Sequence, residues 1–152
     1  MTPDIVDLIV IGIGNDFRRD DGVGLVVAQQ IAGRNLPGVR VVSGIREPAA
    51  LLEVWSGAAR AVVVDAATGA NSTPGRIRRW TGPDLETTAV VSSHALGLAQ
   101  TFALGQALAR MPDELLLFTV DVVDTNHGIG LTPAVAAAVP SLVGAIIDEL
   151  SR

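Results

Sequence analysis

The chain has 152 residues, 49% of them hydrophobic and 18% charged, which fits a single domain spanning 1–152 with its own core and excludes a disordered chain. A net charge of -5 leaves no basic patch for nucleic acid, and the absence of cysteine excludes disulfides, thiolate metal sites and thiol nucleophiles. Aromatic residues make up only 3%, so the core has to be aliphatic.

The N-terminal segment carries two early acids and no basic run. Its apolar stretch is too short to span a bilayer, so no membrane partner and a cytoplasmic location are expected. From there the chain alternates short β-branched runs with longer helical patterns, the signature of a parallel sheet covered by helices. "LIVIGI" (Leu8–Ile13) reads as a first strand buried on both faces. A helix follows from about Gly22 to Ala32, with Val23, Val26, Val27 and Ile31 at helical spacing, and "NLPG" ends it. "VRVVS" (Val39–Ser43) is the second strand. A short helix from near Pro48 carries Leu51, Leu52 and Trp55 and stops at Gly57. "AVVVD" (Ala61–Asp65) is the third strand. The turn-rich "ATGANSTPG" is too short for a crossover helix, so "RIRRW" (Arg76–Trp80) has to run antiparallel to strand three, as an edge strand protected by its arginines. A long helix after His94, running to about Arg110, has Leu96, Ala99, Phe102, Ala103 and Leu108 among its apolar positions. "LLLFTV" (Leu115–Val120) is strand five. In "LTP", Thr132 takes the N-cap position with Pro133 in the first turn, and the last helical region ends near Leu150, kinked or split by Pro140. The expected fold class is α/β: three layers, α/β/α, around a twisted, mostly parallel five-stranded sheet with one antiparallel edge strand.

In such a sheet, ligands bind outside the carboxyl ends of the strands. Asp16, Asp20 and Asp21 follow strand one; Ser43, Arg46 and Glu47 follow strand two; Asp65 ends strand three. His94 precedes the long helix, and Asp121, Asp124 and His127 follow strand five. The turn "GIGNDFRRDDGVG" (12–24) invites comparison with a dinucleotide fingerprint, but Phe17 stands where the third glycine is needed. Ser43 stands where an acid would hold a ribose, and three aspartates would repel a pyrophosphate. Asp20 or Asp21 alone reads equally well as a cap of the first helix, Asp65 as a turn acid and His94 as a structural residue at a helix start. Taken together, Asp21, Asp65 and His94 come from three segments that meet at one edge. Two carboxylates and an imidazole suit a borderline divalent metal with open positions.

The series "GIGNDFRRDDGVG", "VVVDA", "SSHALGL" and "GIGLTP" resembles the hydrogenase maturation proteases over most of the chain. The resemblance implies a phosphorylase/hydrolase-like α/β fold and an endopeptidase. Such an enzyme removes the C-terminal extension of a nickel–iron hydrogenase large-subunit precursor after nickel is inserted. It also implies that Asp21, Asp65 and His94 bind the metal and are the catalytic set, with Asp20 left as the N-cap of the first helix. The metal is nickel brought by the precursor, for which other divalent metals can substitute. Gly14, Asn15, Gly44, Arg46 and Glu47 are the expected substrate contacts. After strand two many members carry "DGGT", where this chain reads "SGIREP"; that departure keeps two other readings open, a non-cleaving nickel-dependent checkpoint and a small-molecule hydrolase.

Overall fold

The β-branched runs supply the sheet. β1 (Leu8–Ile13), β2 (Val39–Ile45), β3 (Arg60–Ala67), β4 (Ile77–Thr81) and β5 (Glu114–Asp121) form one five-stranded sheet in the order β2-β1-β3-β5-β4. The computed structural model describes residues 7–45, 47–69, 72–86 and 95–152. β1 pairs in parallel with β2 and β3, and β3 with β5, so that Leu8 is level with Val39 and Arg60, and Arg60 with Glu114. β4 is the antiparallel edge strand, but its partner is β5, Ile77 facing Val120 and Thr81 facing Leu116. The physical reason is burial. β5 is apolar on both faces and takes the inner slot beside β3, which leaves the edge to the strand that carries Arg78 and Arg79.

Alternation along the inner strands feeds two cores. On one face Val10, Val62, Val64, Leu116, Phe118 and Val120 pack under α1 (Val23–Ala32) and α4 (Pro133–Leu150). On the other, Ile9, Ile11, Ile13, Val63, Leu115 and Leu117 pack under α2 (Leu51–Trp55) and α3 (Ala95–Ala107). This is the expected three-layer arrangement. Trp55, fully buried, anchors α2 and donates its Nε1–H to the Arg110 carbonyl at 2.9 Å, so the largest side chain of this core keeps its polar atom satisfied.

Two helices depart from expectation in detail. The buried face of α3 is formed by Leu98, Thr101, Phe102 and Gly105, whereas Ala103 faces outward; the helix ends at Ala107, short of the expected Arg110, and Leu108 is exposed just beyond it. The sequence of α3 is apolar nearly all round, so periodicity alone does not choose its face. α4 runs unbroken through Pro140. The proline removes a hydrogen bond to the carbonyl of Ala136, and both residues lie on the exposed side, where water can take that carbonyl. α4 is long and apolar enough to cross a bilayer, but Val135, Val139, Leu142, Val143 and Ile146 are buried against the sheet, which accounts for its apolar character. Its C-terminal end is tied to β4 by Arg79 Nε and Glu149 Oε1 at 2.6 Å. The hydrogen bond and charge of Arg79 hold the Glu149 carboxyl below its ordinary value against the opposing effect of burial.

Candidate active site at the carboxyl edge

After β1 the chain reverses at once, and glycines make this possible. Gly14 has φ of 141°, and a side chain there would strike the carbonyl oxygen of Asp21. A Cβ on Gly24 would sit 2.5 Å from the carbonyl oxygens of both Ile13 and Val64, so the start of α1 rests directly on the ends of β1 and β3. The glycines of the motif therefore serve close backbone packing of the protein on itself. They do not leave a cradle for phosphate, and the acids in the turn need no anion to explain them.

That turn carries Asp21. A 3-10 turn, Arg19–Gly22, joins the loop to α1 and packs on β3. Asp21 is 9% exposed, and its Oδ2 accepts the Asn15 N–H at 3.1 Å, which fixes the carboxylate over the Gly14–Asn15 bend. Asn15 in turn accepts the Phe17 N–H at 3.0 Å, and the backbone closes further bonds from Arg18 to Asn15 and from Asp21 to Arg18. Asp65 lies on β3 next to its carboxyl end, fully buried, with Oδ1 accepting the N–H of Ala66 at 2.8 Å. β1 and β3 are neighbours and the chain leaves them in opposite directions, β1 toward β2 and β3 toward the β5 side. Asp21 and Asp65 thus flank the topological switch point, where open α/β sheets bind ligands.

Gly44 (φ 88°) and Glu47 are exposed at the end of β2, and the Gly14 N–H donates to the Ile45 carbonyl at 3.1 Å. Four of the five expected contact residues, Gly14, Asn15, Gly44 and Glu47, are therefore at the same edge as Asp21. The fifth, Arg46, and the third expected metal ligand, His94, lie outside the described residues. Among the described residues, no three of His, Cys, Asp and Glu gather as a metal-holding group; the expected set is complete only with His94.

Asp20 has a different role from the cap expected of it. The N-cap position of α1 is Gly22, and the Asp20 carboxylate, fully buried, reaches across the sheet edge to Thr132. Oδ1 accepts the Thr132 N–H at 2.7 Å and Oδ2 the Thr132 hydroxyl at 2.8 Å. Thr132 does stand at the N-cap of α4 in extended conformation with proline after it, yet its hydroxyl is spent on Asp20 and not on the helix. Asp16 is exposed, as is His127.

Asp121 is the carboxylate at this edge for which sequence reasoning offers no role. Almost fully buried at the end of β5, it takes Arg76 Nε (3.0 Å), Arg78 Nη2 (3.5 Å) and the Thr73 N–H (3.0 Å) on a single oxygen, Oδ2. It thereby fastens the loop that leaves β3 two residues beyond Asp65. An acid closing an apolar strand, in a chain whose edge strand is rich in arginine, was the available signal.

The comparisons with known proteins agree with this architecture. A family model described as hydrogenase maturation protease matches residues 26–149, a span that begins just after the turn carrying Asp21 and includes Asp65 and His94. The Hydrogenase 2 maturation protease of Escherichia coli (strain K12) is 26% identical over 148 residues, 94% of this chain and 90% of that protein. Among solved structures, the hydrogenase maturating endopeptidase HybD from E. coli superposes with a TM-score of 0.81 at 22% identity, over 95% of this chain and 92% of that one. The NiFe hydrogenase maturation protease HybD from Thermococcus kodakarensis gives a TM-score of 0.75 at 23% identity, over 96% of this chain and 99% of that one. At such identities the superpositions speak for the fold, and the family rests on the sequence match. With more than half of its residues matched by that family and the fold in agreement, the chain belongs to the hydrogenase maturation proteases, a family of endopeptidases.

Proposed function

We propose that this chain removes the C-terminal extension of a nickel–iron hydrogenase large-subunit precursor after nickel has been inserted. In this reading Asp21, Asp65 and His94 are the groups that meet the metal carried by the substrate. The observation that supports it best is the pair of buried carboxylates, Asp21 and Asp65, at the switch point of the sheet, each oriented by a backbone N–H on one of its oxygens. Such donors suit the ion: carboxylate and imidazole are accepted ligands for borderline divalent metals, and a hydrogen bond to a ligating carboxylate fixes its direction. Nickel in that position supplies Lewis acidity toward the scissile carbonyl or a water. The role of the chain's own residues is to bind and orient the precursor, and a carboxylate at this edge is placed to take up a proton from an attacking water.

Co-expression with candidate precursors, followed by mass measurement of the large subunit, tests the reading. The wild type shortens its client by the C-terminal peptide. Asp21→Asn, Asp65→Asn and His94→Ala fold but leave the nickel-loaded precursor at full mass, while His127→Ala retains most of the activity. Processing by Asp21→Asn at the wild-type rate would remove that residue from the metal, and equal loss from His94→Ala and His127→Ala would mean the wrong histidine has been chosen.

A further inference from the structure

The loops that follow β1 and β5 share a property unrelated to their acids. Five large hydrophobic side chains stand exposed among the described residues, and three of them are on these two loops: Phe17 (58% exposed), Val123 (65%) and Ile129 (80%). The remaining two are Leu104 on α3 and Leu108 one residue past its end. The loops are braced against each other. Arg18 and Gly128 form a parallel bridge, with the Gly128 N–H donating to the Phe17 carbonyl at 2.9 Å and the Arg19 N–H to the Gly128 carbonyl at 3.0 Å. Arg18 Nε donates to the Thr125 carbonyl at 3.1 Å, the Asp20 N–H to the Asp124 carbonyl at 3.1 Å, and the Asp20 carboxylate grips Thr132. Phe17 and Ile129 therefore each lie one residue from a single bridge. Beside Ile129 opens a recess of about 210 Å3, lined also by Asp16, Arg19, Leu25 and Leu131.

We propose that Phe17, Val123 and Ile129 form the docking surface for the hydrogenase large-subunit precursor, seating an apolar segment of that protein beside Asp21. The inference rests on the proteolytic reading above. Exposed apolar side chains on braced backbone are costly to leave in water and lose little freedom on binding, the combination found in interface anchors. The occupant follows from position. Phe17 is four residues from Asp21 on one short loop, so a protein chain delivered to that carboxylate lies across this surface, and the recess beside Ile129 takes one of its apolar side chains. Arg19 at the rim is paired with Asp124 at 3.7 Å, and Asp16 stands exposed beside it, so this surface selects by its apolar side chains and not by a net charge. A second copy of this chain seated here would cover the edge that its own substrate must reach.

The test compares Phe17→Ser and Ile129→Ser, singly and together, with a Leu104→Ser, Leu108→Ser control. The readouts are Kd for the nickel-loaded precursor, kcat and KM for its processing, melting temperature and mass in solution. The double loop variant is expected to raise Kd and KM at least about tenfold, the equivalent of one lost anchor, with a smaller change in kcat and an unchanged melting temperature. The control keeps wild-type KM. If the wild type cuts and the loop variants cut with the same KM, or if the control loses as much, the docking surface is wrong while the proteolytic reading stands. A wild type that neither binds nor cuts any nickel-loaded precursor overturns both. A wild-type dimer that Phe17→Ser, Ile129→Ser dissolves gives the patch to a second copy and overturns the proposal.

Discussion

Replacing Thr132 by valine removes one hydroxyl and little volume, and it probes a bond that joins positions 112 residues apart. The Thr132 hydroxyl is one of two donors to the buried Asp20 carboxylate, at 2.8 Å, and the backbone N–H at 2.7 Å survives the substitution. A hydrogen bond to a charged group contributes about 1.5–3 kcal/mol. Thr132→Val should therefore cost about 2 kcal/mol, which for a chain of this size is a fall in melting temperature of about 4–8 °C. Asp20→Ala loses both bonds and leaves a void, for about 3–5 kcal/mol. The decisive quantity is the interaction between the two changes. In the Asp20→Ala background the hydroxyl has no carboxylate to serve, so Thr132→Val should then cost under about 0.5 kcal/mol, a coupling of about 1.5 kcal/mol or more. Urea unfolding of the four proteins, with m held constant, measures it. Were Asp20 only a cap of the first helix, the two substitutions would add; additivity within about 0.5 kcal/mol would refute the link.

Two glycine-to-alanine changes should have opposite signs. Gly24→Ala gains helix propensity of about 1 kcal/mol, yet its Cβ would press on the carbonyls of Ile13 and Val64, so a net loss of more than about 2 kcal/mol is expected in chemical unfolding. Gly144→Ala, on a helix with open space around the new Cβ, should stabilise by about 0.5–1 kcal/mol in the same assay. The Glu149 carboxyl titrates lower in the folded protein than in the unfolded chain, so its contribution is present above the ordinary glutamate value and is lost as pH falls through the folded value. Glu149→Gln should thus cost about 1 kcal/mol at pH 7, discounted for a half-exposed Arg79, and the gap to wild type should close below about pH 4 in pH-resolved melting. Asp121→Asn should weaken the hold on Arg76 and speed trypsin cleavage after that residue, while cleavage after Arg34, exposed just past α1, serves as the unaffected control.

Local sequence rules served well where a signal is contained within one element. The strand at Leu8–Ile13 was legible to the residue because its apolar run is bounded by a glycine turn, and the arginines of "RIRRW" correctly placed an edge strand. The same rules could not say which strand that edge would pair with, because the choice depended on β5, which comes later in the chain. For α3 the buried face was misjudged because leucine and alanine are spread around it. Asp21 and Asp65 could be placed at the carboxyl edge from strand ends alone. Asp20 could not be placed, since a carboxylate six residues past Gly14 and just before a helix looks like a cap until Thr132 is brought beside it. Pro140 looked like a breaker because the sequence does not reveal that the carbonyl it deprives faces solvent.

The bond from Asp20 to Thr132 also sets an order of events on the ribosome. β1, β2, β3 and α1 can pair and pack as soon as they emerge, because their contacts fall within the first half of the chain. The turn bearing Asp21 has to wait for the loop after β5 and the first turn of α4. At about 5–20 residues per second, Thr132 is made about 6–22 s after Asp20. Through that interval the Asp20 carboxylate lacks both of the donors that Thr132 supplies in the finished fold. Translation thus sets when this lock can close, because the N-terminal turn meets its last partner only as the C-terminal third arrives.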